Sequence, residues 1–168
     1  MNWNSTQRGV LLIVLAALVI GAFFALSQSR VTIVPNEGEL THLTNTLPAP
    51  SATISAASTT IIVSIAETKE EHTRGLSGRE NLDASTGLLF IFDQPDRYGF
   101  WMPDMYFPID IIWIDADWRI VDIAESVPPD SYPKVFTPTT PALYVLEVNA
   151  GKASTWGWKI GTPLVFNR

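Results

Sequence analysis

Residues 109–124 read IDIIWIDADWRIVDIA, in which two apolar stretches flank a short polar one. Ile109–Ile114 and Arg119–Ala124 are rich in β-branched side chains, which favour extended strands. Between them, Asp115-Ala116-Asp117 supplies the acidic residues that turns prefer. The spacing predicts two antiparallel strands joined as a β-hairpin.

Further strands are predicted on both sides of this hairpin. Each is a short apolar run bounded by residues that favour turns. The predicted strands are Thr59–Ala66 (TTIIVSIA), Gly87–Phe92 (GLLFIF), Leu143–Val148 (LYVLEV) and a last one near Leu164–Phe166.

Two short helical segments are predicted among these strands. Thr68 and Glu71 have the spacing of a capping box, and Gly75 is placed to end a helix of about two turns. A second helical turn is predicted from Gly151 to Trp156. Strands joined by turns, with so little helix, predict a mainly β fold: a small antiparallel β sandwich or distorted barrel with one or two short helices.

The N-terminal segment has the composition of a membrane span. Gly9–Leu26 contains no charged residue, and 18 residues of helix are about 27 Å long, close to the thickness of the hydrocarbon core. We therefore predict a short cytoplasmic N-terminus over residues 1–8 and a single transmembrane helix over residues 9–28. A cleaved signal peptide is the alternative, because Arg8 precedes the apolar run and Ala25-Leu26-Ser27 has the spacing of a cleavage site.

Residues 29–58 are dominated by Ser, Thr, Asn, Pro and Ala, and show no helical or strand periodicity. Such a composition buries too little apolar surface to offset the entropy of ordering. It predicts a flexible linker that joins the anchor to a β-rich domain over residues 59–168. The domain is expected on the extracytoplasmic side of the membrane, or secreted if the leader is cleaved.

Composition excludes several classes of function. The net charge is −6, and the four charged residues of the first 58 cancel, so the excess lies on the β-rich domain and disfavours nucleic acid as a partner. Cysteine is absent, which removes disulfides and thiolate nucleophiles. The two histidines, His42 and His72, lie near no Gly-x-Ser-x-Gly motif, and no glycine-rich phosphate loop is present. No cofactor is predicted.

Several short motifs follow one another through the β-rich domain. They are, in order, Arg74-Gly75-Leu76 with Arg79 and Leu82, Gly87–Phe92, Phe100-Trp101-Met102, Pro108–Ile112, Ile114-Asp115 and Tyr144–Gly151. In this order and at these spacings they resemble a bacterial and archaeal family, the domain of unknown function 192. The resemblance covers residues 61–165 and implies a compact, mainly β domain that is often exported and has no established substrate.

The sequence departs from the family pattern in two places. Pro103-Asp104-Met105 stands where the family usually has a Lys-Asn-Thr-like stretch. Asp117-Trp118 stands where Asp-Gly is common, and glycine favours the left-handed conformation of a tight hairpin turn. The second departure predicts a turn that is looser or differently placed.

Four aspartates lie within fourteen residues: Asp104, Asp110, Asp115 and Asp117. Their spacing matches no EF-hand loop, so solvated turn residues are favoured over a metal site. Asp110 shares its strand face with Ile112 and Ile114, so a buried carboxylate there must find donors or shift its pKa. An ion pair with Arg74 or Arg79 is predicted. Glu147 also lies within a predicted strand, so its carboxyl group must likewise find donors or shift its pKa if it is buried.

Six aromatic residues lie between Tyr98 and Trp113. Most are expected in the core, because aromatic side chains bury large apolar areas. A pleated strand cannot hide all of them, however, and an exposed Trp101 beside polar residues is typical of a surface that binds carbohydrate or peptide. Trp101 is therefore either a residue of the packed core or part of a ligand-binding surface.

The leading hypothesis is a non-catalytic, membrane-anchored binding or accessory module of the cell envelope, with a glycan or a protein as its partner. The alternative is a glycan-acting hydrolase that uses Asp110 and Glu147 as acid and base. A third possibility is a domain that only assembles with a membrane complex. The candidate ligand-binding residues are Arg74, Arg79, Phe100, Trp101, Asp104, Asp110, Glu147 and Asn149.

Overall fold

The computed structural model describes residue 49 and residues 52–168. The predicted cytoplasmic N-terminus, the predicted transmembrane helix and most of the predicted linker lie outside the described residues. Within the described part, no helix combines the length and the apolar composition needed to cross a bilayer.

Strands dominate the described residues, as the sequence predicts. Two short helices, α1 (Lys69–Arg74) and α2 (Lys152–Thr155), and one 3-10 turn (Pro129–Ser131) accompany them. The strands are β1 (Ala52–Ala56), β2 (Thr59–Ala66), β3 (Thr86–Asp96), β4 (Ile109–Ile114), β5 (Ile120–Val127), β6 (Ala142–Asn149) and β7 (Val165–Asn167).

The seven strands of the described residues belong to one mixed sheet, in the order β5-β4-β6-β3-β2-β1-β7. The predicted hairpin is confirmed as the antiparallel pair β4–β5. The prediction of an antiparallel sandwich or distorted barrel needs correction, because β2 and β3 pair in parallel within this single sheet. The chain between them passes through α1, and parallel neighbours need such a crossover connection.

The β-rich domain begins earlier than residue 59. Ala52–Ala56, which the sequence analysis placed in the flexible linker, forms β1 and pairs with both β2 and β7. Its residues alternate between buried and half-buried, with Ile54 fully buried. Because Ala, Ser and Thr dominate this strand, its composition resembled a linker while its alternation was that of a strand.

Both faces of the sheet are covered. Alternation along the strands sends Leu88 and Ile111 to one apolar cluster, and their neighbours Leu89 and Ile112 to the other. We call the first the aromatic face, because Phe90, Phe100 and Trp113 belong to it. Two-sided burial explains why the central strands read as continuous apolar runs.

The β4–β5 turn keeps a left-handed residue although glycine is replaced by Trp118, where a looser or differently placed turn was predicted. Trp118 itself adopts a φ of 57°. Its ring stacks on Tyr144 and on Phe166, with centroid distances of 4.1 and 4.6 Å. The amide N–H of Leu164 donates to the carbonyl of Trp118 at 2.8 Å. The expectation of a looser or displaced turn is therefore wrong, since these contacts hold a tryptophan where glycine is common.

Candidate functional site

A cavity of about 230 Å³ opens on the aromatic face, between α1 and the loop that follows β3. Its deep parts are formed by buried residues of the sheet, and its mouth by exposed residues of α1 and the loop. The residues that carry its chemistry are Lys69, His72, Arg74, Phe90, Phe92, Tyr98, Phe100, Trp101 and Glu147.

Helix α1 begins with the predicted capping box. The Thr68 hydroxyl accepts from the Glu71 amide, and the Glu71 carboxylate accepts from the Thr68 amide at 2.9 Å. The hydrogen bonds that the Glu71 carboxylate accepts from the amides of Thr68 and Glu67 lower its pKa. Such capping stabilises a helix too short to form alone. The cap thereby fixes Lys69 and His72 at the cavity mouth.

His72 is anchored within the cavity wall. Its Nε2 donates to the carbonyl of Ala66 at 3.0 Å, since a carbonyl can only accept. Its ring lies 4.5 Å from Phe92 and 5.9 Å from Phe90, measured between centroids. His72 therefore packs as part of the aromatic wall.

Gly75 ends α1 and brings the backbone close to the cavity base. Its φ of 50° and ψ of −132° suit glycine alone. A Cβ atom at this position would lie 3.4 Å from Cζ of Phe90 and 3.8 Å from Oε2 of Glu147. The main chain at Gly75 thus passes directly over the Glu147 carboxyl group.

Glu147 lies at the base of the cavity with 5% of its surface exposed. Among the described residues, its Oε2 has no hydrogen-bond partner. Loss of hydration on burial raises the pKa of Glu147 from 4.5 to about 8. The sequence required that a carboxyl group here either find donors or shift its pKa, and the structure shows the second outcome.

Aromatic rings form the walls above Glu147. Phe90 meets Phe100 edge to face at 4.9 Å, and Phe92 stacks on Tyr98 at 3.6 Å. Burial raises the pKa of Tyr98, and the negative charges of nearby aspartates add to the effect. Trp101 closes one side of the mouth and leaves 48% of its surface exposed. The site offers several aromatic faces to anything that enters it.

The structure brings together half of the predicted site residues. Arg74, Phe100, Trp101 and Glu147 line the cavity, whereas Arg79, Asp104, Asp110 and Asn149 do not. The cavity also uses residues that the sequence analysis did not select: Lys69, His72, Phe92 and Tyr98. Lys69 and His72 are three residues apart in a predicted helix, so their shared face was readable from the sequence, but the strands opposite were not.

Arg79 lies next to the site rather than in it. Its Nε is buried and has no hydrogen-bond partner in the described part of the chain. Burial lowers the pKa of Arg79, and repulsion from Arg74 lowers it further. Two guanidinium groups therefore lie near the cavity mouth.

Asp104 and Asn149 shape loops near the site. Asp104 has a φ of 52°, and its carbonyl accepts from the Gly78 amide at 2.8 Å. The Nδ2 of Asn149 donates to the carbonyls of Leu82 and Asp83 at 2.8 and 3.2 Å. Asn149 thus ties the end of β6 to the chain that precedes β3.

Asp110 is fully buried and has a structural role. Its carboxylate accepts from the backbone amides of Ser126, Gly151 and Ala153 at 2.7, 2.9 and 2.9 Å. The last two bonds satisfy donors at the start of α2. The predicted ion pair with Arg74 or Arg79 is therefore wrong, because backbone amides satisfy this carboxylate.

The acid–base pair of the alternative hydrolase is also wrong. In the β4–β6 pairing, Glu147 stands opposite Ile111, and Asp110 stands opposite Val148. Opposed residues point to the same side of a sheet and neighbours along a strand to opposite sides. Asp110 and Glu147 therefore face opposite sides and cannot act on one glycosidic bond.

Within residues 52–168, no cluster of three or more His, Asp or Glu side chains could hold a metal ion. The four aspartates between Asp104 and Asp117 do not converge. Asp115, for example, accepts hydrogen bonds through its Oδ1 from the amides of Asp117 and Arg119, at 3.0 and 2.8 Å. These bonds shape the hairpin turn.

A mixed β-sheet that carries an aromatic cavity, with a buried carboxyl group at the base of the cavity, defines the domain. The chain belongs to the DUF192 family, described as "Uncharacterized ACR", whose model matches residues 51–166. The family resemblance of the sequence motifs is thereby confirmed.

Two solved structures show the same fold. One is a candidate transcription regulator from Sinorhizobium meliloti 1021, which is 28% identical with a TM-score of 0.64; the match covers 68% of this chain and 91% of that one. The other is a protein of unknown function from Novosphingobium aromaticivorans DSM 12444, 31% identical with a TM-score of 0.63, covering 68% and 82%. Among curated proteins, no sequence matches significantly.

Proposed function

We propose that this protein is a non-catalytic ligand-binding module of the cell envelope, whose binding site is the cavity beneath Trp101. One observation carries the proposal: a half-exposed tryptophan stands at the mouth of a cavity walled by aromatic rings. Aromatic residues with one face free stack well on sugar rings and on peptide side chains. Pockets of this kind, with few polar groups, are typical of binding sites.

The arrangement of polar groups favours binding over catalysis. Acid–base hydrolysis of a glycosidic bond needs two carboxyl groups, and Glu147 is the single carboxyl residue among the described residues that line the cavity. His72 already donates to the carbonyl of Ala66 and packs its ring against Phe92 and Phe90, so it is held as part of the cavity wall. These features support a site that holds its ligand unchanged.

The apolar N-terminal segment supports an extracytoplasmic position for the domain. Residues 9–28 have the length and composition of a membrane anchor or signal segment. We expect the full-length protein in the membrane fraction of cells, with residues 52–168 degraded by protease added outside. Recovery of the full-length chain in the cytosol would contradict this part of the proposal.

The binding proposal is tested by titration of the full-length chain in detergent micelles. The probes are soluble envelope glycan fragments and short peptides, and the variants are Trp101→Ala and Tyr106→Ala. Tyr106 is 68% exposed and does not line the cavity, so it controls for the loss of an exposed aromatic side chain.

Trp101→Ala is expected to weaken binding at least tenfold while the thermal midpoint stays within about 2 °C of the wild-type value, because nearly half of the side chain is already in water. Tyr106→Ala should bind normally. A large fall in the thermal midpoint of Trp101→Ala without loss of binding would make Trp101 a packing residue and overturn the proposal.

A further inference from the structure

The Glu147 carboxyl group is a buried polar group among the aromatic residues of the cavity. It is buried at the base of an open cavity, and its Oε2 has no hydrogen-bond partner among the described residues. A buried acceptor left unpaired is energetically costly, and such groups are rare in native proteins. Glu147 lines the cavity and keeps 5% of its surface exposed, so a donor inside the cavity can approach this carboxyl group. This geometry favours a ligand that brings a hydrogen-bond donor to the base.

The aromatic walls of the cavity favour one kind of hydrogen-bond donor over others. Five aromatic side chains surround the space above the carboxyl group, and aromatic faces attract cations. An ammonium group has three donors, and it gains both from the rings and from the carboxylate. A neutral hydroxyl group would gain only the hydrogen bond.

The mouth of the cavity is positively charged, opposite in sign to an ionised Glu147 at the base. Lys69 and Arg74 line it, and Arg79 lies close enough to Arg74 to be repelled by it. A simple cation would meet repulsion on entry, whereas a compound with a carboxylate at its outer end would be attracted. Arg74 can hold a carboxylate through two parallel hydrogen bonds.

We propose that the cavity binds a zwitterion in which an ammonium group and a carboxylate are separated by a short apolar segment, as in an ω-amino acid. The ammonium group lies against Glu147, and the carboxylate lies at the mouth with Arg74 and Lys69. A cavity of about 230 Å³ accommodates one such residue rather than a long chain. The inference rests on the proposed function, because it names the ligand class of the same site.

The proposal fixes the sign of the pH dependence of binding. In the free protein burial raises the pKa of Glu147 to about 8, so the group is mostly protonated at pH 6. An ammonium ligand needs the carboxylate, so binding releases a proton and tightens as pH rises. From pH 6 to 8 the affinity should rise roughly fiftyfold through this group. A ligand that carries only a carboxylate would show the opposite trend.

Other charged groups near Glu147 come from α1 and the adjoining loops. On the two neighbouring strands, the residues directly opposite Glu147 are the apolar Leu88 and Ile111. The titratable residues that line or adjoin the cavity are Lys69, His72, Arg74, Arg79 and Tyr98. Because these groups remain in Glu147→Gln, comparison with that variant isolates the contribution of Glu147.

The test is calorimetric titration of the full-length chain in detergent at pH 6 and pH 8. The probes are ω-amino acids from 4-aminobutyrate to 6-aminohexanoate, with hexylamine, hexanoate and a neutral monosaccharide for comparison. At least one ω-amino acid should bind more tightly than all three comparison compounds, and more tightly at pH 8. Titration in two buffers of different ionisation enthalpy should show proton release, a readout that needs no variant.

Two variants locate the charged ends of the ligand. Glu147→Gln should abolish the preference for pH 8, and Arg74→Ala should reduce affinity for the ω-amino acids but not for hexylamine. Lys159→Ala, an exposed cation away from the cavity, should change neither.

The outcomes separate this inference from the proposed function. If the monosaccharide or hexanoate binds best and Trp101→Ala abolishes that binding, the cavity is a binding site and the zwitterion inference is wrong. If no probe of either experiment binds, both proposals fall.

Discussion

Asp110 and Glu147 lie on adjacent strands of the sheet, yet their carboxyl groups are buried on opposite faces. Asp110 meets three backbone amides, while Oε2 of Glu147 meets no donor among the described residues. Since hydrogen bonds can replace hydration and apolar surroundings cannot, only the first environment suits a buried ionised carboxylate. The two acids therefore have different roles: Asp110 holds the fold together, and Glu147 gives the cavity its polarity.

Asp110→Asn is expected to destabilise the domain by about 2–4 kcal/mol. Both oxygens of Asp110 accept amide hydrogens, so an Asn side chain must turn an NH₂ group toward at least one N–H donor. The free energy of unfolding, from urea titration of the full-length chain followed by tryptophan fluorescence, measures the loss.

Asp130→Asn is the matched control, because Asp130 is exposed and starts no strand or α-helix. Its unfolding midpoint should equal that of the wild type within error. Equal stabilities of Asp110→Asn and the wild type would show that the three amide bonds contribute little.

Glu147→Gln should change how stability depends on pH. In the folded protein the pKa of Glu147 is raised from 4.5 to about 8, so between these values the unfolded chain loses a proton that the folded chain keeps. The wild-type free energy of unfolding should therefore fall as pH rises through this window, by up to about 1.4 kcal/mol per pH unit from this group. The amide of the variant does not titrate, so its advantage over the wild type should grow from pH 5 to pH 8.

The pH effect is measured as the difference between the two unfolding curves at pH 5, 6.5 and 8. Taking the difference cancels the titration of all other groups. A constant difference across this range would mean that Glu147 ionises in the folded protein as it does in water.

Local features of the fold were predictable, because they depend on neighbouring residues. The hairpin of β4 and β5 and the capping box of Thr68 with Glu71 are both confirmed. The strand order was not predictable, since the parallel pairing of β2 with β3 depends on where α1 returns the chain. Strand β1 was missed because its small residues have the composition of a linker, and the alternation that marks it as a strand spans only five residues.

The site was predictable only in part, for a related reason. Alternation along each strand gives the face of Asp110 relative to Ile112, and that of Glu147 relative to Val145. Which of these faces coincide depends on the register between β4 and β6, which no local pattern encodes. Arg74, Trp101 and Glu147 do converge on one cavity, whereas Asn149 holds a loop beside it and Asp110 lies on the opposite face of the sheet.

Trp118 should tolerate glycine better than alanine. Both substitutions lose the ring that stacks on Tyr144 and Phe166, but alanine also retains the cost of a left-handed residue at φ 57°. Trp118→Gly is therefore expected to be more stable than Trp118→Ala by about 1 kcal/mol. Urea unfolding of the two variants in parallel gives the order.

Trp156 provides the control, because it is also half-buried but has a φ of −84°. There the order should reverse, with Trp156→Ala more stable than Trp156→Gly, since glycine loses more conformational entropy on folding. The same order at both positions would contradict the conformational explanation.

Gly75→Ala should affect both stability and binding, because Gly75 lies where α1 meets the cavity. A left-handed φ of 50° with a ψ of −132° is strained for alanine and should cost about 1–3 kcal/mol. The added methyl group would also stand 3.4 Å from Phe90 and 3.8 Å from Oε2 of Glu147, which shields the carboxyl group from a ligand. Binding of the probes that the wild type accepts should weaken in titrations at temperatures where the variant remains folded.

Gly157→Ala separates these two effects. Gly157 has a φ of 69°, but a Cβ atom there would meet no described atom within 4 Å. This variant should lose stability through backbone strain alone and should bind as tightly as the wild type. Equal losses of affinity in both variants would attribute the effect to general destabilisation, whereas a loss confined to Gly75→Ala would place the ligand against the surface that Gly75, Phe90 and Glu147 share.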